Sequence, residues 1–320
     1  MKTRIIASGS YLPSKVVTND DFAKIMDTSD EWISQRTGIK ERRFEEDSNA
    51  HMASYAAIKA LENIDYESID CIIAATYTPD SYIPGLAAEV RKTLNIRRPI
   101  PTFDLNAACS GFIFALETAN AYIKAKIYKR ILVVGSDMNS KTLDFTDRST
   151  SILFGDGAGA VVLEASDKGI IDTILGGEID RDSSLSLKVS DMQTNPFTKD
   201  ALNKVEYFEM NGSEVFKFAV RVVNKTIKDL LTRNKLSIDD IDYVVSHQAN
   251  QRILNMAARS LKTSKDKFLT NLEYYGNTSS ASVPILLDES LRKGIIKENA
   301  KIIVIAFGGG LSYGASLIEI

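Results

Sequence analysis

The sequence predicts an α/β protein built from two similar halves. Short apolar runs that suit buried strands alternate with longer amphipathic runs that suit helices, an order typical of layered folds with partly parallel sheets. The strand-like runs lie at 4–8, 69–76, 102–105, 130–135, 158–164, 241–246 and 301–306, and the helical runs at 53–63, 111–126, 215–234, 251–261 and 283–293.

An internal repeat with an offset of about 170 residues is the second observation. A helical pattern followed by an apolar run occurs at 56–73 and again at 225–245. The runs Ile-Leu-Val-Val at 131–134 and Ile-Val-Ile-Ala at 303–306 match at a similar offset, and the segments 159–164 and 314–319 end the two halves alike. Because these matches keep the same order, we interpret them as a duplicated unit and predict domains at 1–170 and 171–320.

Composition excludes several classes of protein. The chain of 320 residues is 44% hydrophobic and 25% charged with a net charge of −3, so it lacks the strongly basic balance of a nucleic-acid binder. Its N-terminus turns polar too early for a signal peptide, and no apolar run is long enough to span a bilayer. With two cysteines and two histidines, neither a disulfide scaffold nor a metal-ligand spacing is present. We expect a cytoplasmic protein without a metal, a membrane or a nucleic-acid partner.

Cys109 lies where the predicted strand 102–105 turns into a long helix. Its neighbours are small, which permits a tight bend and the close approach of a substrate. The exposed N–H groups at a helix N-terminus lower a thiol pKa, and the thiolate is the nucleophilic form. A buried structural cysteine is the alternative, and the local sequence leaves both interpretations open. Cys71, within an apolar run, is predicted to be a core residue.

Three further features are candidate site groups in the second half. His247 directly follows the predicted strand 241–246, and strand ends are where α/β active sites gather. Asn277 follows Gly276 in a predicted loop, where it is either a fixed amide donor or part of a plain turn. The glycines at 308–310 either let backbone N–H groups form an oxyanion hole or make a tight hairpin.

Taken together, these segments resemble β-ketoacyl-acyl-carrier-protein synthase III, the condensing enzyme that starts bacterial type II fatty acid synthesis. The resemblance runs from Gly9 to Gly314 in the order of the family, and several motifs in register are more specific than any one of them. The matching segments are 32–39, 106–111, 147–148, 154–160, 210–212, 247–250 with Arg252, 276–282 and 307–314.

The resemblance implies a thiolase-like fold, with duplicated α/β halves in a layered αβαβα sandwich, and a homodimer. It places the catalytic triad on Cys109, His247 and Asn277. Cys109 would take an acyl group from acyl-coenzyme A, a substrate rather than a cofactor. Malonyl-acyl-carrier protein would then lose carbon dioxide, and its enolate, held by His247 and Asn277, would attack the acyl-Cys109 thioester. Backbone N–H groups of Cys109 and Gly309 would hold the oxyanion.

The resemblance also implies binding residues. Ile83 would reach across the dimer to the acyl pocket, and because it is smaller than the aromatic residue of members that favour short chains, it predicts a longer or branched primer. For each basic residue, ordinary solvated charge is the alternative. The implied coenzyme A contacts are Thr28, Trp32, Arg36, Arg148 and Asn250, and the implied carrier-protein contacts are Lys217, Gln248, Arg252 and Arg259.

Four rival functions have different sequence requirements. A thiolase would carry a second catalytic cysteine, yet none follows Cys109, and an elongating ketoacyl synthase would use a second histidine where Asn277 stands. A cysteine hydrolase needs neither the pair Trp32 and Arg148 nor a duplicated chain, and a non-catalytic acyl-binding protein would not need the triad. A specialised condensing enzyme of secondary metabolism remains open, as do the primer and the carrier protein.

Overall fold

The computed structural model describes residues 2–188 and 206–320. Its strands are β1 (Lys2–Tyr11), β2 (Lys15–Thr18), β3 (Glu41–Phe44), β4 (Cys71–Ala75), β5 (Thr102–Leu105), β6 (Arg130–Asp137), β7 (Gly157–Ser166), β8 (Ile170–Gly177), β9 (Leu185–Ser186), β10 (Glu209–Met210), β11 (Tyr243–Ser246), β12 (Phe268–Leu269), β13 (Lys301–Gly308) and β14 (Ser312–Glu319). Its α-helices are α1 (Asn19–Ala23), α2 (Asp30–Thr37), α3 (Asn49–Ala60), α4 (Leu86–Thr93), α5 (Gly111–Lys124), α6 (Gly212–Arg233), α7 (Gln251–Ser260), α8 (Leu272–Tyr275) and α9 (Ser282–Arg292).

Two five-stranded sheets share one topology. The first has the order β1-β7-β6-β4-β5, and the second, read in the matching direction, has the order β8-β14-β13-β11-β12. In each sheet the last three strands are parallel and the first two antiparallel. Each strand therefore has a counterpart in the other sheet, and the chain passes between sheets from Ser166 to Ile170.

Helices cover both faces of each sheet. Residues of α5 and α9 form one apolar core with the inner faces of the two sheets. Residues of α3 and α4 pack on the outer face of the first sheet, and residues of α6 and α7 pack on the outer face of the second. All five residues of β4 are buried, as expected for a strand with helices on both sides. The predicted α/β class is confirmed, and the layers run α–β–α–β–α.

Side-chain caps move two helix starts away from the predicted positions. The helix predicted at 53–63 begins at Asn49, because Ser48 Oγ accepts a hydrogen bond from His51 N at 3.1 Å. The helix predicted at 215–234 begins at Gly212, because Asn211 Oδ1 accepts one from Glu214 N at 3.3 Å.

Two predicted loops also contain regular structure. The loop at 137–150 includes the last residue of β6 and a 3₁₀ turn, and the loop at 180–194 includes β9, with 189–194 outside the described residues. The edge strand β8 was missed because its half-exposed sequence lacks a long apolar run.

Glycines bring α9 directly against the first sheet. A Cβ on Gly135 of β6 would lie 2.6 Å from the carbonyl oxygen of Ser280, and one on Gly159 of β7 would lie 2.7 Å from Pro284 Cβ. No larger residue fits at these two positions without displacing the start of α9. Among the helices described, none is long and apolar enough to cross a membrane.

Candidate active site

Two short 3₁₀ turns meet at the centre of the molecule. Ala108–Ser110 precedes α5, and Ser279–Ala281 precedes α9 at the equivalent place in the second half. Each turn begins with a residue of positive φ, 46° at Ala108 and 53° at Ser279. Ser279 Oγ donates a hydrogen bond to Cys109 Sγ at 3.5 Å. The N-terminal ends of two helices therefore converge on Cys109, and their partial positive charges act there together.

A glycine hairpin closes one side of Cys109. A Cβ on Gly308 would lie 2.8 Å from Cys109 Cβ, so only glycine fits there, and a Cβ on Gly309 would lie 3.4 Å from Ala108 Cβ. Ser312 Oγ lies 2.8 Å from Ser110 Oγ and donates to the carbonyl of Ala107 at 3.1 Å, which ties the hairpin to the cysteine turn. Of the two glycines, Gly308 makes the closer approach to Cys109, and the oxyanion role expected for the Gly309 N–H stays a prediction.

The charge state of Cys109 differs from the sequence prediction. The residue is only 6% exposed, and burial raises the pKa of its thiol to about 12. The hydrogen bond from Ser279 opposes this rise in pKa, and the nearby carboxylate of Asp137 adds to it. The direction of the shift is opposite to the lowering predicted from the helix N-terminus, because removal of the thiol from water is its largest cause.

His247 continues the β11–β13 pairing, since its N–H donates to Ile305 O at 2.7 Å. Its ring is buried, contacts Phe307 edge-on at 5.2 Å between centroids, and places Nδ1 2.6 Å from Ser282 Oγ. Burial lowers the pKa of the imidazole to about 3, so the ring is neutral. Within the described residues Nε2 has no hydrogen-bond partner, and His247 lines the same cavity as Cys109.

Asn277 is held by its backbone between two residues of the first half. Its N–H donates to Leu153 O at 2.8 Å, and its carbonyl accepts from Gly155 N at 3.0 Å. Its side-chain Oδ1 accepts from Ser279 N at 2.8 Å, which leaves the Nδ2 hydrogens without a partner in the part of the chain described. Asn277 lines the cavity, so its free amide donor is available there.

Three polar residues around the triad were missed by the sequence analysis. Asp137, at the end of β6, is fully buried and accepts hydrogen bonds from Ser280 Oγ at 2.7 Å and Tyr77 N at 2.9 Å. Burial raises the pKa of its carboxyl group. Ser279 and Ser282 belong to the hydroxyl-rich run 278–282, and their spacing of three places them on one face of a 3₁₀ turn. That spacing was the available signal.

A cavity of about 470 Å³ leads from these groups to the surface. Residues 2–188 and 206–320 contain no cluster of three or more His, Cys, Asp or Glu placed to hold a metal ion. Its buried lining residues include Cys109, His247, Asn277, Phe307 and Gly308, its apolar ones also include Phe154, Leu185, Phe208 and Met210, and its more exposed ones include Trp32, Arg36, Arg148 and Arg252.

Two arginines stack on Trp32. The guanidinium carbon of Arg36, one helical turn away on α2, lies 4.2 Å from the indole centre, and that of Arg148 lies 5.1 Å away. A flat ring inserted between Trp32 and Arg148 would need about 7 Å, twice a normal carbon contact. Arg148 also donates to the carbonyl of Asp27, and the neighbouring Thr28 Oγ1 is buried without a hydrogen-bond partner in the described chain. Trp32 and Arg148 are therefore in direct contact, with no gap wide enough for a ring between them.

Asn250 and Gln248 are both engaged within the protein. Asn250 lines the cavity, but its Oδ1 caps α7 and its Nδ2 donates to Arg36 O at 3.1 Å. Gln248 is 1% exposed, and its amide donates to Ser246 O at 2.8 Å and accepts from Thr270 Oγ1 at 2.8 Å. The Gln248 side chain is therefore held inside the protein, directly before the residues that lead into α7.

The α7 surface, which we define as Arg252, Met256 and Arg259, is one exposed stripe of that helix. Neither arginine pairs with a carboxylate among the described residues. Lys217 on α6 is also exposed but bonds to Glu214 Oε1 at 2.8 Å.

Ile83 lies in the loop before α4. Its side chain is 91% exposed in the single chain, and it does not line the cavity that contains Cys109. No other part of the described single chain therefore covers the Ile83 side chain.

The raised pKa of Cys109 predicts its reaction with iodoacetamide. Because the folded pKa is about 12, the thiolate fraction is small at neutral pH and rises about tenfold per pH unit. We expect the alkylation rate of the unliganded protein to rise with that slope between about pH 7 and 9. Cys109→Ala measures the background from Cys71, whose thiol pKa burial also raises to about 12. A plateau below pH 8 would contradict the prediction.

Comparison with known proteins agrees with this geometry. Residues 103–178 match the family described as 3-oxoacyl-[acyl-carrier-protein] synthase III, and residues 231–320 match its C-terminal part. A β-ketoacyl-[acyl-carrier-protein] synthase III of Clostridium acetobutylicum is 49% identical over 319 residues, covering 98% of both chains.

Two solved structures extend the comparison. The crystal structure of 3-oxoacyl-[acyl-carrier-protein] synthase III from Aquifex aeolicus VF5 is 41% identical, with a TM-score of 0.91 over 99% of this chain and 100% of that one. The priming β-ketosynthase from the R1128 polyketide biosynthetic pathway is 33% identical, with a TM-score of 0.92 over 100% of this chain and 96% of that one. The chain belongs to the 3-oxoacyl-[acyl-carrier-protein] synthase III family and has its thiolase-like condensing-enzyme fold.

Proposed function

We propose that this chain condenses an acyl-coenzyme A primer with malonyl-acyl-carrier protein, giving 3-oxoacyl-carrier protein and starting fatty acid synthesis. The observation that carries the proposal is the convergence of three groups in one cavity: a cysteine at two helix N-termini, Nε2 of His247 and Nδ2 of Asn277, the last two without a hydrogen-bond partner among residues 2–188 and 206–320. In this proposal the duplicated halves 1–170 and 171–320 share the site, the first supplying Cys109 and the second supplying His247 and Asn277.

In the first half-reaction Cys109 Sγ bonds to the acyl carbon, and the bond from that carbon to the sulfur of coenzyme A breaks. The thiol proton leaves with coenzyme A, so the acyl-enzyme is neutral. This suits a buried thiol whose pKa is raised, because no isolated thiolate has to persist in the cavity. The oxyanion that forms during the transfer is held by the N–H groups of Cys109 and Gly309.

In the second half-reaction the malonyl thioester loses carbon dioxide. The electron pair of the broken carbon–carbon bond becomes an enolate, whose oxygen accepts hydrogen bonds from His247 and Asn277. Its carbon then attacks the acyl-Cys109 thioester, the carbon–Sγ bond breaks, and a proton from solvent restores the thiol. Preorganised donors of this kind each lower a barrier by about 2.7–4 kcal/mol. Both donors are neutral, which limits the cost of burying them.

The mouth of the cavity is the proposed site for the adenine of coenzyme A. The contact of Arg148 with Trp32 must open to admit the ring, and its tie to the exposed Asp27 is weak in water. Arg36 supplies further positive charge. Thr28 Oγ1 is a polar atom without a hydrogen-bond partner in the described residues, and Asn250 holds the Arg36 backbone in place. Arg148 thus stacks on Trp32 before binding and on the adenine afterwards.

The proposed docking site for the acidic carrier protein is the α7 surface together with Lys217. Its two arginines have no carboxylate partner in the described part of the chain and are available to carboxylates of a partner protein, and Arg252 also lines the cavity. Gln248 belongs to the same proposed segment, where its buried amide would fix the backbone that leads to Arg252.

Assembly and location follow the same proposal. A homodimer would cover Ile83 and let it line the acyl pocket of the partner subunit, with room for a longer or branched primer. The protein would act in the cytoplasm without a metal or other cofactor. The similarity to the R1128 priming synthase favours one alternative, a specialised condensing enzyme. Assays with several acyl-coenzyme A primers and several carrier proteins separate the two.

Substitution of Cys109 tests the acyl-enzyme. We expect wild-type protein incubated with acetyl-coenzyme A to gain one acetyl group by intact-protein mass spectrometry, and Cys109→Ser to gain none. Cys71→Ala is the matched control, because Cys71 is a buried core residue away from the cavity, and it should acylate like wild type. An adduct that persists on Cys109→Ser would refute the assignment.

Loss of Arg148 tests the adenine site. Arg148→Ala should raise KM for acetyl-coenzyme A by about 5- to 30-fold, the equivalent of about 1–2 kcal/mol of stacking and charge. Trp32 is the only tryptophan, so its fluorescence should report coenzyme A binding. The affinity measured in this way should fall in Arg148→Ala by the same factor as KM rises. Arg97→Ala removes an exposed arginine elsewhere and should change neither value. Unchanged KM in Arg148→Ala would place coenzyme A at another site.

Charge reversal at Arg259 tests carrier-protein docking. Arg259→Glu should raise KM for malonyl-carrier protein roughly tenfold, and added salt should shrink the difference. Lys124→Glu is the control, since it ends α5 about 20 Å from the cysteine turn. Acylation by acetyl-coenzyme A should be equal in both variants. Equal KM values for malonyl-carrier protein would remove the α7 surface from the proposal.

A further inference from the structure

Ser282 is the first residue of α9 and lies behind the ring of His247. It is 1% exposed. Its Oγ lies 2.6 Å from His247 Nδ1 and is also placed to donate to the carbonyl of Ser279 at 2.9 Å. That carbonyl already accepts a hydrogen bond from the backbone N–H of Ser282. The hydroxyl has one proton and can donate to only one of these two acceptors, and the imidazole nitrogen is the closer and the more basic of them.

We propose that Ser282 is a positioning residue that donates its hydroxyl proton to His247 Nδ1 and so keeps the ring proton on Nε2. This inference rests on the proposed function, in which Nε2–H donates to the enolate oxygen of the malonyl thioester. A neutral imidazole carries one ring proton, and the partner of one nitrogen decides which nitrogen holds it. A donor at Nδ1 makes Nε2 a donor towards the cavity.

The contacts of Cys109 agree with this tautomer. In the described residues the hydrogen-bond partner of Cys109 Sγ is Ser279 Oγ and not His247. In a serine-protease triad a carboxylate accepts from Nδ1–H, which leaves Nε2 free to act as a base. Here a hydroxyl stands in the place of the carboxylate, and in the proposed arrangement Nδ1 accepts the hydrogen bond and does not donate it. His247 therefore serves decarboxylation as a hydrogen-bond donor and does not remove the proton of Cys109.

The tautomer can be observed directly because the chain has only two histidines, His51 and His247. Protein labelled with ¹⁵N-histidine should show a protonated Nε2 and an unprotonated Nδ1 for His247, assigned by its loss in His247→Ala. In Ser282→Ala the ring should populate both tautomers. A protonated Nδ1 in wild type, or an unchanged spectrum in Ser282→Ala, would overturn the inference.

The two half-reactions give the functional test. Ser282→Ala should slow release of carbon dioxide from malonyl-carrier protein about tenfold, while acetyl transfer from acetyl-coenzyme A to Cys109 stays within about twofold of wild type. Ser282→Thr keeps the hydroxyl and should recover most of the decarboxylation. Ser54→Ala is the matched control, because Ser54 is a buried serine whose Oγ has no hydrogen-bond partner in the described structure.

A double variant shows whether Ser282 acts through His247. Decarboxylation by Ser282→Ala/His247→Ala should equal that of His247→Ala alone, because the same donor is lost. Equal loss of both half-reactions in Ser282→Ala would mean that Ser282 only supports the fold of α9. Wild-type protein that acylates but releases no carbon dioxide would instead refute the proposed function.

Discussion

The packing of α5 and α9 between the two sheets is the constraint on which the rest of the structure depends. Both helices are covered by strands on two sides, and glycines in β6 and β7 admit the start of α9 at backbone contact. Neither helix can shift without disturbing a close-packed core. Their N-terminal turns are therefore held together, and the Ser279–Cys109 hydrogen bond is a direct result of this packing.

The site between these turns relies on neutral groups and dipoles. Burial keeps the thiol of Cys109 protonated and the imidazole of His247 uncharged, and Asn277 does not titrate. An isolated charge would be costly there, whereas helix termini and oriented N–H groups are already fixed in place. The positive charges lie near the surface, on the two arginines that stack on Trp32 and on the α7 surface, where contact with water lowers the free-energy cost of a charge. Under the proposed function, this arrangement would separate recognition of anionic substrates from the chemistry.

The sequence analysis succeeded where local pattern and position along the chain are sufficient. The strand–turn–helix at Cys109, the layered α/β class and the order of elements follow from apolar periodicity, turn residues and repetition. It failed for properties that depend on packing. The thiol pKa was predicted from the helix N-terminus alone, but burial reverses its direction. The burial of the Gln248 amide, which bonds to Thr270 and Ser246, is likewise invisible in the local pattern.

Periodicity and composition are local properties of the chain, so they are enough to predict the fold class, the internal repeat and the residue types available for chemistry. How those residues act depends on contacts between distant segments. Cys109 and Ser279 are 170 positions apart, and His247 and Ser282 are 35 apart. Their contacts arise because α5 and α9 pack side by side in one layer between the two sheets. Hydrogen-bond direction, charge state and exposure are set by that three-dimensional packing, which no local pattern contains.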